Sequence, residues 1–264
     1  MHSSFLKSKI FAAIALALLS YFFTFPMVMF HGVLNDIHKD NYVAEGKASA
    51  KVWEFYNEGR YKSNATPKEA HNNLQEMIDS GSEIGVASVP IWSVSLEAPN
   101  YPKEVFPMGI PVYFHFDGFS GEVHEMNTIN HYIGMDPMWI GGQFERAIGM
   151  YALLALSLVF VYFIAYNKRI FSLLMLIPVA MPLIFLAEYA YWLYWFGHNL
   201  HNWGAFNIKP FMPTVFGDGK VAQFITHSYP ATGFFVLLAI ALFSLLAVMA
   251  RKKAMDLSSD TQAS

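Results

Sequence analysis

The chain has 264 residues, of which 55% are hydrophobic, 17% aromatic and only 14% charged. Soluble domains are usually about 45–50% apolar and about 25% charged, so the composition excludes an ordinary soluble domain and favours a membrane protein with one polar insert. The formal net charge of -3, without a basic stripe, argues against a nucleic-acid partner. The lack of cysteine excludes disulfides, thiolate metal sites and CxxCH haem attachment.

Four apolar stretches are long enough to cross a membrane, since a hydrocarbon core of about 30 Å needs about 20 residues. The predicted spans are residues 10–30, 147–166, 170–196 and 231–250. The first stretch follows a short basic start and resembles a secretion signal. Its apolar run is too long for one, and no small-residue cleavage site follows it, so we interpret it as a retained span.

Basic residues flank these spans on one side, and the positive-inside rule assigns that side to the cytoplasm. They are Lys7, Lys9, Lys168, Arg169, Arg251, Lys252 and Lys253. The sequence therefore predicts a four-pass protein of the bacterial inner membrane with both termini cytoplasmic. Its fold class is α-helical membrane, with an extracytoplasmic α+β insert between helices 1 and 2. The predicted divisions are residues 1–31, the periplasmic domain 32–146, and 147–264, which contains an outer loop at 197–230 and a short cytoplasmic tail.

Within the insert, the sequence Thr-Pro-Lys-Glu at 66–69 has the pattern of a capping box and predicts a helix from 67 to about 80. After Gly81, β-branched and alternating residues predict strands at 84–96, 111–117 and 122–126, and hence a small antiparallel sheet.

A hairpin loop at 117–122 would set the register of this sheet. If residue 117 pairs with 122, His115 lies opposite His124 and Tyr113 lies opposite Met126. A cross-strand histidine pair with Met126 on the same face is a candidate copper site. Solvated histidines on an exposed strand are the alternative interpretation.

Nine of the ten histidines fall in segments predicted to face away from the cytoplasm. His198 and His201 follow the third span and share a helix face if the helix continues that far. His131 precedes the second span and His227 precedes the fourth, so the predicted topology brings them to the same membrane surface. With Met212, whose thioether suits copper(I), these residues are candidate copper ligands. Alternatively, the imidazoles bond carbonyls or lipid headgroups.

Glu188 is the only acidic residue inside a predicted span, and such residues are by default candidates for function. Its candidate partners are Arg146 and a histidine ring that it would orient, with simple solvation as the alternative. Aromatic residues crowd the same end of the third span and are interpreted as an interfacial belt. They are Tyr189, Tyr191, Trp192, Tyr194 and Trp195.

Two segments carry a resemblance to a known group of proteins: Asn-His-Tyr-Ile-Gly-Met at 130–135 and the run from Lys209 to Pro230. They resemble blocks in small bacterial integral membrane proteins associated with the nitrous oxide reductase system. The resemblance implies an accessory role beside a periplasmic copper enzyme, in copper supply, maturation or electron delivery.

These observations lead to one functional hypothesis and two alternatives. The first is an inner-membrane accessory protein of a periplasmic copper or redox enzyme, binding or delivering copper, or docking the metalloenzyme or other membrane subunits, through outward-facing His and Met residues. The second is a redox subunit that exchanges electrons with quinol at the outer interface, where Glu188 and a histidine accept protons. The third is a structural anchor that docks a soluble partner through Trp92 and Trp139. No hydrolase or zinc-protease motif is present, so an enzyme is not favoured.

Overall fold

The computed structural model describes residues 2–23, 89–98, 107–116, 118–202, 204–205, 208–221 and 223–263. It contains four helices long and apolar enough to cross a membrane: Ser3–Phe22, Gln143–Ala165, Arg169–His198 and Thr232–Ser259. The prediction of a helical membrane protein with four spans is confirmed at this level. The first helix lies nearer the amino terminus than predicted, and residues 24–30 and the helix predicted at 67–80 lie outside the described residues.

The described residues include six α-helices. They are α1 (His2–Leu19), extended by a 3-10 turn at Ser20–Phe22, α2 (Val123–Tyr132), α3 (Gln143–Ala165), α4 (Arg169–Leu174), α5 (Leu176–His198) and α6 (Thr232–Ala263). The third span thus consists of α4 and α5, which meet at Met175. Helix α1 packs against α3 and α6, and α6 packs against α5. The packing order α3, α1, α6, α5 leaves α3 and α5 on the two sides of the bundle.

Arg251 of α6 is fully buried near the chain termini and joins three helices. Its guanidinium donates to the Ser8 hydroxyl at 3.0 Å, to the Phe163 carbonyl at 2.8 Å and to the Tyr166 carbonyl at 2.9 Å. The two carbonyls belong to the end of α3, where backbone acceptors have no partner further along their own helix. Arg251 therefore caps α3 from a neighbouring helix. This contact could not be predicted from the sequence, which indicates Arg251 only as one of the basic residues that flank the spans.

A five-stranded antiparallel sheet lies at the other end of the helices, which we call the sheet end. Its strands are β1 (Trp92–Glu97), β2 (Ile110–Phe114), β3 (Phe119–Gly121), β4 (Gly217–Val221) and β5 (Phe224–Pro230), in the order β3-β2-β1-β5-β4. The central strand β1 pairs with β2 on one side and with β5 on the other. The insert and the segment between α5 and α6 therefore build one sheet together, whereas the predicted sheet lay within the insert alone.

The predicted hairpin register was wrong. Tyr113 pairs with Ser120 and Phe114 with Phe119, and the chain then enters α2, so His124 and Met126 lie on a helix instead of a strand. The physical reason is the spacing of the buried apolar side chains at 123, 126, 129 and 133. Their intervals of three and four residues suit one face of a helix and exclude a strand, in which buried residues alternate.

The sheet is joined to the spans through Ser228 of β5, in a cluster that we call the serine hub. The Ser228 hydroxyl donates to the Val215 carbonyl at 2.8 Å and accepts from the Trp92 indole at 2.8 Å. The Tyr189 hydroxyl of α5 lies 3.1 Å from the same oxygen. Because a hydroxyl has a single proton, which Val215 receives, Tyr189 must also be a donor. Each of these buried polar atoms therefore has a partner.

Candidate functional site at the sheet end

A cavity of about 330 Å³ lies between α3 and α5, beneath the sheet and α2. Phe22 and Leu237 back it from α1 and α6, and its walls are mainly apolar side chains. Polar residues on the walls are His115, Asn130, Glu145, Arg146, Glu188 and Thr226. Such a lining, apolar with a few polar groups, is typical of sites for small organic molecules.

The two helices that flank the cavity run in opposite directions, and their contact fixes which residues face each other. A β-carbon at Gly141, just before α3, would lie only 2.8 Å from the Phe196 ring of α5. Trp192 lies one helical turn further from the sheet than Phe196, because four residues advance a helix by about 6 Å, and Glu188 follows after one more turn on the same face of α5. Glu145 lies in the first turn of α3. Glu145 and Trp192 thus line the cavity from its two flanking helices.

Two buried polar atoms of the cavity-lining residues have no hydrogen-bond partner among the described residues. They are Oε2 of Glu145 and the indole nitrogen Nε1 of Trp192. Both residues line the cavity. Arg146, one residue further along α3, donates to the Gly141 carbonyl, and its guanidinium carbon lies 4.9 Å from the centroid of the Phe119 ring. The predicted pair Glu188 and Arg146 thus shares one cavity.

The structure does not place His198 and His201 on one helix face, so this prediction was wrong. Helix α5 ends at His198, whose ring stacks on Tyr194 with centroids 3.8 Å apart and whose Nδ1 lies 2.9 Å from the Tyr194 carbonyl. His201 lies beyond the helix end, and its Nε2 is 3.0 Å from Oδ2 of Asp136. Its backbone N–H donates to the Gly134 carbonyl at 2.7 Å.

Gly134 allows this close approach between the end of α2 and the loop that carries His201. Its φ is +81°, and an added β-carbon would lie 2.5 Å from the His201 carbonyl oxygen. Both facts favour glycine, which has no side chain and adopts positive φ without strain. His131, three residues before Gly134, is buried in the last turn of α2. The structure therefore gathers His131, Asp136 and His201 around the end of α2.

His227 lies on β5 between two carboxylates. Its Nδ1 is 2.7 Å from Oδ1 of Asp218, and its Nε2 is 3.0 Å from Oε1 of Glu97. The hydrogen bond to Asp218, together with that to Glu97, raises the pKa of His227 against its partial burial. The hydrogen bonds from His227 and Tyr229 lower the pKa of Asp218. An imidazolium donates from both nitrogens, so the protonated ring links β4, β5 and β1.

The other predicted ligands are scattered. His115 and Met126 are buried and line the cavity, whereas Met212 is 45% exposed. His124 lies on α2. Within the described ranges, no group of three or more His, Cys, Asp or Glu residues has an arrangement that would hold a metal ion.

Several residues of these sites were missed in the sequence. Glu145 lay outside the predicted second span, which began at 147, and Trp192 was interpreted as part of the interfacial belt. Asp136, Asp218 and Glu97 gave no local signal, because their histidine partners are distant in the chain.

Comparison of the chain with protein families, curated proteins and solved structures finds no match.

Proposed function

We propose that this protein binds an amphipathic, membrane-soluble molecule in the cavity between α3 and α5. The cavity is the observation that carries the proposal, because its apolar walls lie at the end of four span-like helices. A molecule that dissolves in the bilayer reaches such a site between the two flanking helices and keeps its polar head near the sheet. The cavity volume is at the lower end of the range for ligand sites, about 300–1,000 Å³.

The proposal includes the location and setting predicted from the sequence. The protein resides in the bacterial inner membrane with both termini in the cytoplasm, and the sheet end faces the periplasm. The positive-inside distribution supports this orientation. The accessory role beside a periplasmic redox enzyme, implied by the resemblance to proteins of the nitrous oxide reductase system, supplies the context in which a bilayer-soluble molecule is bound.

Photolabelling tests the proposal. Protein reconstituted in phospholipid vesicles is exposed to a photoreactive short-chain quinone, an amphipathic ring compound, with and without excess unlabelled quinone. We expect competable labelling of peptides from α3 or α5. Ile184→Trp, which fills the cavity wall, should reduce labelling at least several-fold, whereas Leu183→Trp should not, because Leu183 is 71% exposed and lies off the cavity. Labelling that unlabelled quinone does not reduce would refute the proposal.

A second candidate function, copper binding as part of an accessory role, is favoured by the pair of His201 and Asp136. A carboxylate bonded to one ring nitrogen of a histidine is the usual arrangement behind a metal-binding imidazole, because it fixes the tautomer and the ring orientation. Of the other predicted ligands, His131 lies five residues before Asp136, in the last turn of α2.

Copper titration of the detergent-purified protein tests this second function. His201→Ala and Asp136→Asn should both weaken copper(I) or copper(II) binding, Asp136→Asn by about 10–100-fold if its role is orientation. His198→Ala is the matched control, since its ring is stacked on Tyr194 and lies apart from Asp136. Equal affinity in the unmodified protein and the His201→Ala variant would exclude the site.

A further inference from the structure

We infer that the head of the bound molecule is a hydroxylated ring of the quinol class, recognised by the Trp192 indole as donor and the Glu145 carboxyl as acceptor. This inference rests on the proposed binding function and adds the chemical class of the ligand. It begins from the two buried atoms, Glu145 Oε2 and Trp192 Nε1, that have no partner among the described residues. Buried polar atoms are nearly always hydrogen-bonded, so an exception on a cavity wall points to a partner within the cavity.

The two atoms are chemically complementary to a single hydroxyl group. An indole N–H only donates, and an ionised carboxylate only accepts. A hydroxyl group does both, because it has one proton and two lone pairs. A ring that bears hydroxyl groups therefore offers a lone pair to Trp192 and a proton to Glu145, and both residues line the same cavity.

Other head groups of membrane-soluble molecules fit less well. A carbonyl oxygen, as in the oxidised quinone, accepts from Trp192 but offers nothing to Glu145. A carboxylate head, as in a fatty acid, accepts from Trp192 but has no proton to donate to Glu145. An ammonium head suits the carboxyl groups but has no lone pair for the indole. The neutral hydroxyl is the head group that pairs with both residues.

The rest of the wall suits a ring better than an alkyl chain alone. Phe185 and Tyr189 line the cavity next to Trp192, and their own rings are stacked with centroids 6.0 Å apart and an interplanar angle of 3°. Phe114 of β2 meets Tyr189 edge to face. Aromatic rings pack favourably in stacked and edge-to-face arrangements, so a ring entering this wall finds both.

The test compares three ligands that differ only in the head: a short-chain quinol, its oxidised quinone, and the quinol with both hydroxyls methylated. Dissociation constants are measured anaerobically on the full-length protein in detergent. The unmodified protein should prefer the quinol to its dimethyl ether by about tenfold or more, which corresponds to the hydrogen bond that methylation removes. Preference over the quinone should be in the same direction.

Substitutions then assign this preference to residues. Glu145→Leu should bring the ratio of quinol to ether affinity close to one, while binding of the ether itself persists and shows that the variant is folded. Trp192→Phe should weaken the binding of quinol and ether to a similar extent, because the oxygen atoms of both can accept from the indole. Glu145→Gln keeps a carbonyl acceptor and should retain part of the preference. Gln143→Ala and Tyr191→Phe, whose residues lie beside these positions but off the cavity, should leave the ratio unchanged.

The outcomes separate the inference from the function on which it rests. If no ring compound binds the unmodified protein, the proposed function itself fails. If quinol and ether bind with equal affinity, and Ile184→Trp weakens both, the cavity binds rings but the head-group assignment is overturned. A preference for the quinol that survives Glu145→Leu, or quinol binding that Trp192→Phe does not weaken, would also overturn it.

Discussion

Two tryptophan rings lie between the sheet and the spans, and their surroundings differ in one respect. The Trp92 indole donates to Ser228 in the serine hub, where each buried polar atom described above has a partner. The Trp192 indole is buried beside a cavity, and its nitrogen has no partner among the described residues. The contrast indicates a division of labour: the hub holds the sheet on the helices, and the cavity keeps hydrogen-bonding capacity for a ligand.

The largest effect on stability should come from removing the hub ring. Trp92 is 1% exposed and lies among the rings of Phe185, Tyr189, Phe216 and Phe234. We expect Trp92→Ala to lower the free energy of unfolding by about 3–5 kcal/mol, the usual cost of truncating a buried aromatic side chain. Chemical unfolding in detergent measures it. A loss below about 1 kcal/mol, typical of an unimportant surface position, would show that the hub does not hold the sheet on the helices.

Removing the acceptor at the centre of the hub should have the next largest effect. Ser228→Ala leaves the Trp92 N–H and the Tyr189 hydroxyl without their buried acceptor, at about 1–3 kcal/mol for each donor. Ser93→Ala is the control, because Ser93 bonds the Tyr229 carbonyl on the more exposed face of the sheet. Unfolding of both variants under identical conditions checks the difference, and equal losses would contradict it.

A smaller, pH-dependent effect should come from His227. Its raised pKa means that its pairing stabilises the fold fully below about 6.5, the ordinary imidazole value, and that this contribution is lost as the pH rises through the raised value. The lowered pKa of Asp218 acts at the acid end, where its contribution is lost as the pH falls through that lowered value.

The melting temperatures of the unmodified protein and of His227→Gln should be measured from weakly acidic to alkaline pH, and their difference compared. It should be largest in weakly acidic solution and should shrink as the solution becomes alkaline. Lys220→Gln, on the exposed face of the same hairpin, controls for general charge effects. A difference that grows with rising pH would contradict the sign of the shift.

The smallest effect on stability should come from Trp192→Phe, at about 1 kcal/mol or less, because the indole nitrogen has no bond to lose among the described residues. Trp92→Phe is the matched change in the hub and should cost more, since it breaks the bond to Ser228 and loosens a packed ring cluster. If the two variants lose equal free energy of unfolding under identical conditions, the two indoles do not differ in their structural role.

The spans were predictable because length and apolar character are local properties of a sequence. Helix α2 could also have been predicted, from the three- and four-residue spacing of Val123, Met126, Ile129 and Ile133. The alternation over residues 122–126 predicted a strand instead. Residues Gly217–Val221 include two glycines and yet form strand β4. A short Gly-rich segment becomes a strand here because β5 supplies its hydrogen bonds.

The candidate sites were less predictable, because each depends on contacts between distant segments. His227 meets Glu97, 130 residues away in the chain, only because β5 pairs with β1 after four α-helices intervene. His201 meets Asp136 across 65 residues through the glycine at 134. Glu188 could be singled out from the sequence, since an acidic group in an apolar helix is visible without knowledge of its neighbours, and the structure places it on the cavity wall.

The central position of β1 has a consequence for how the protein is made. During synthesis, β1 and β2 emerge before α3, but β5 emerges only after α5, so one edge of β1 has no strand beside it until most of the chain exists. An open strand edge next to apolar side chains favours aggregation. We therefore expect that residues 32–146 produced alone are insoluble, and that formation of the native sheet requires the later spans, either in the same chain or supplied as a co-expressed fragment.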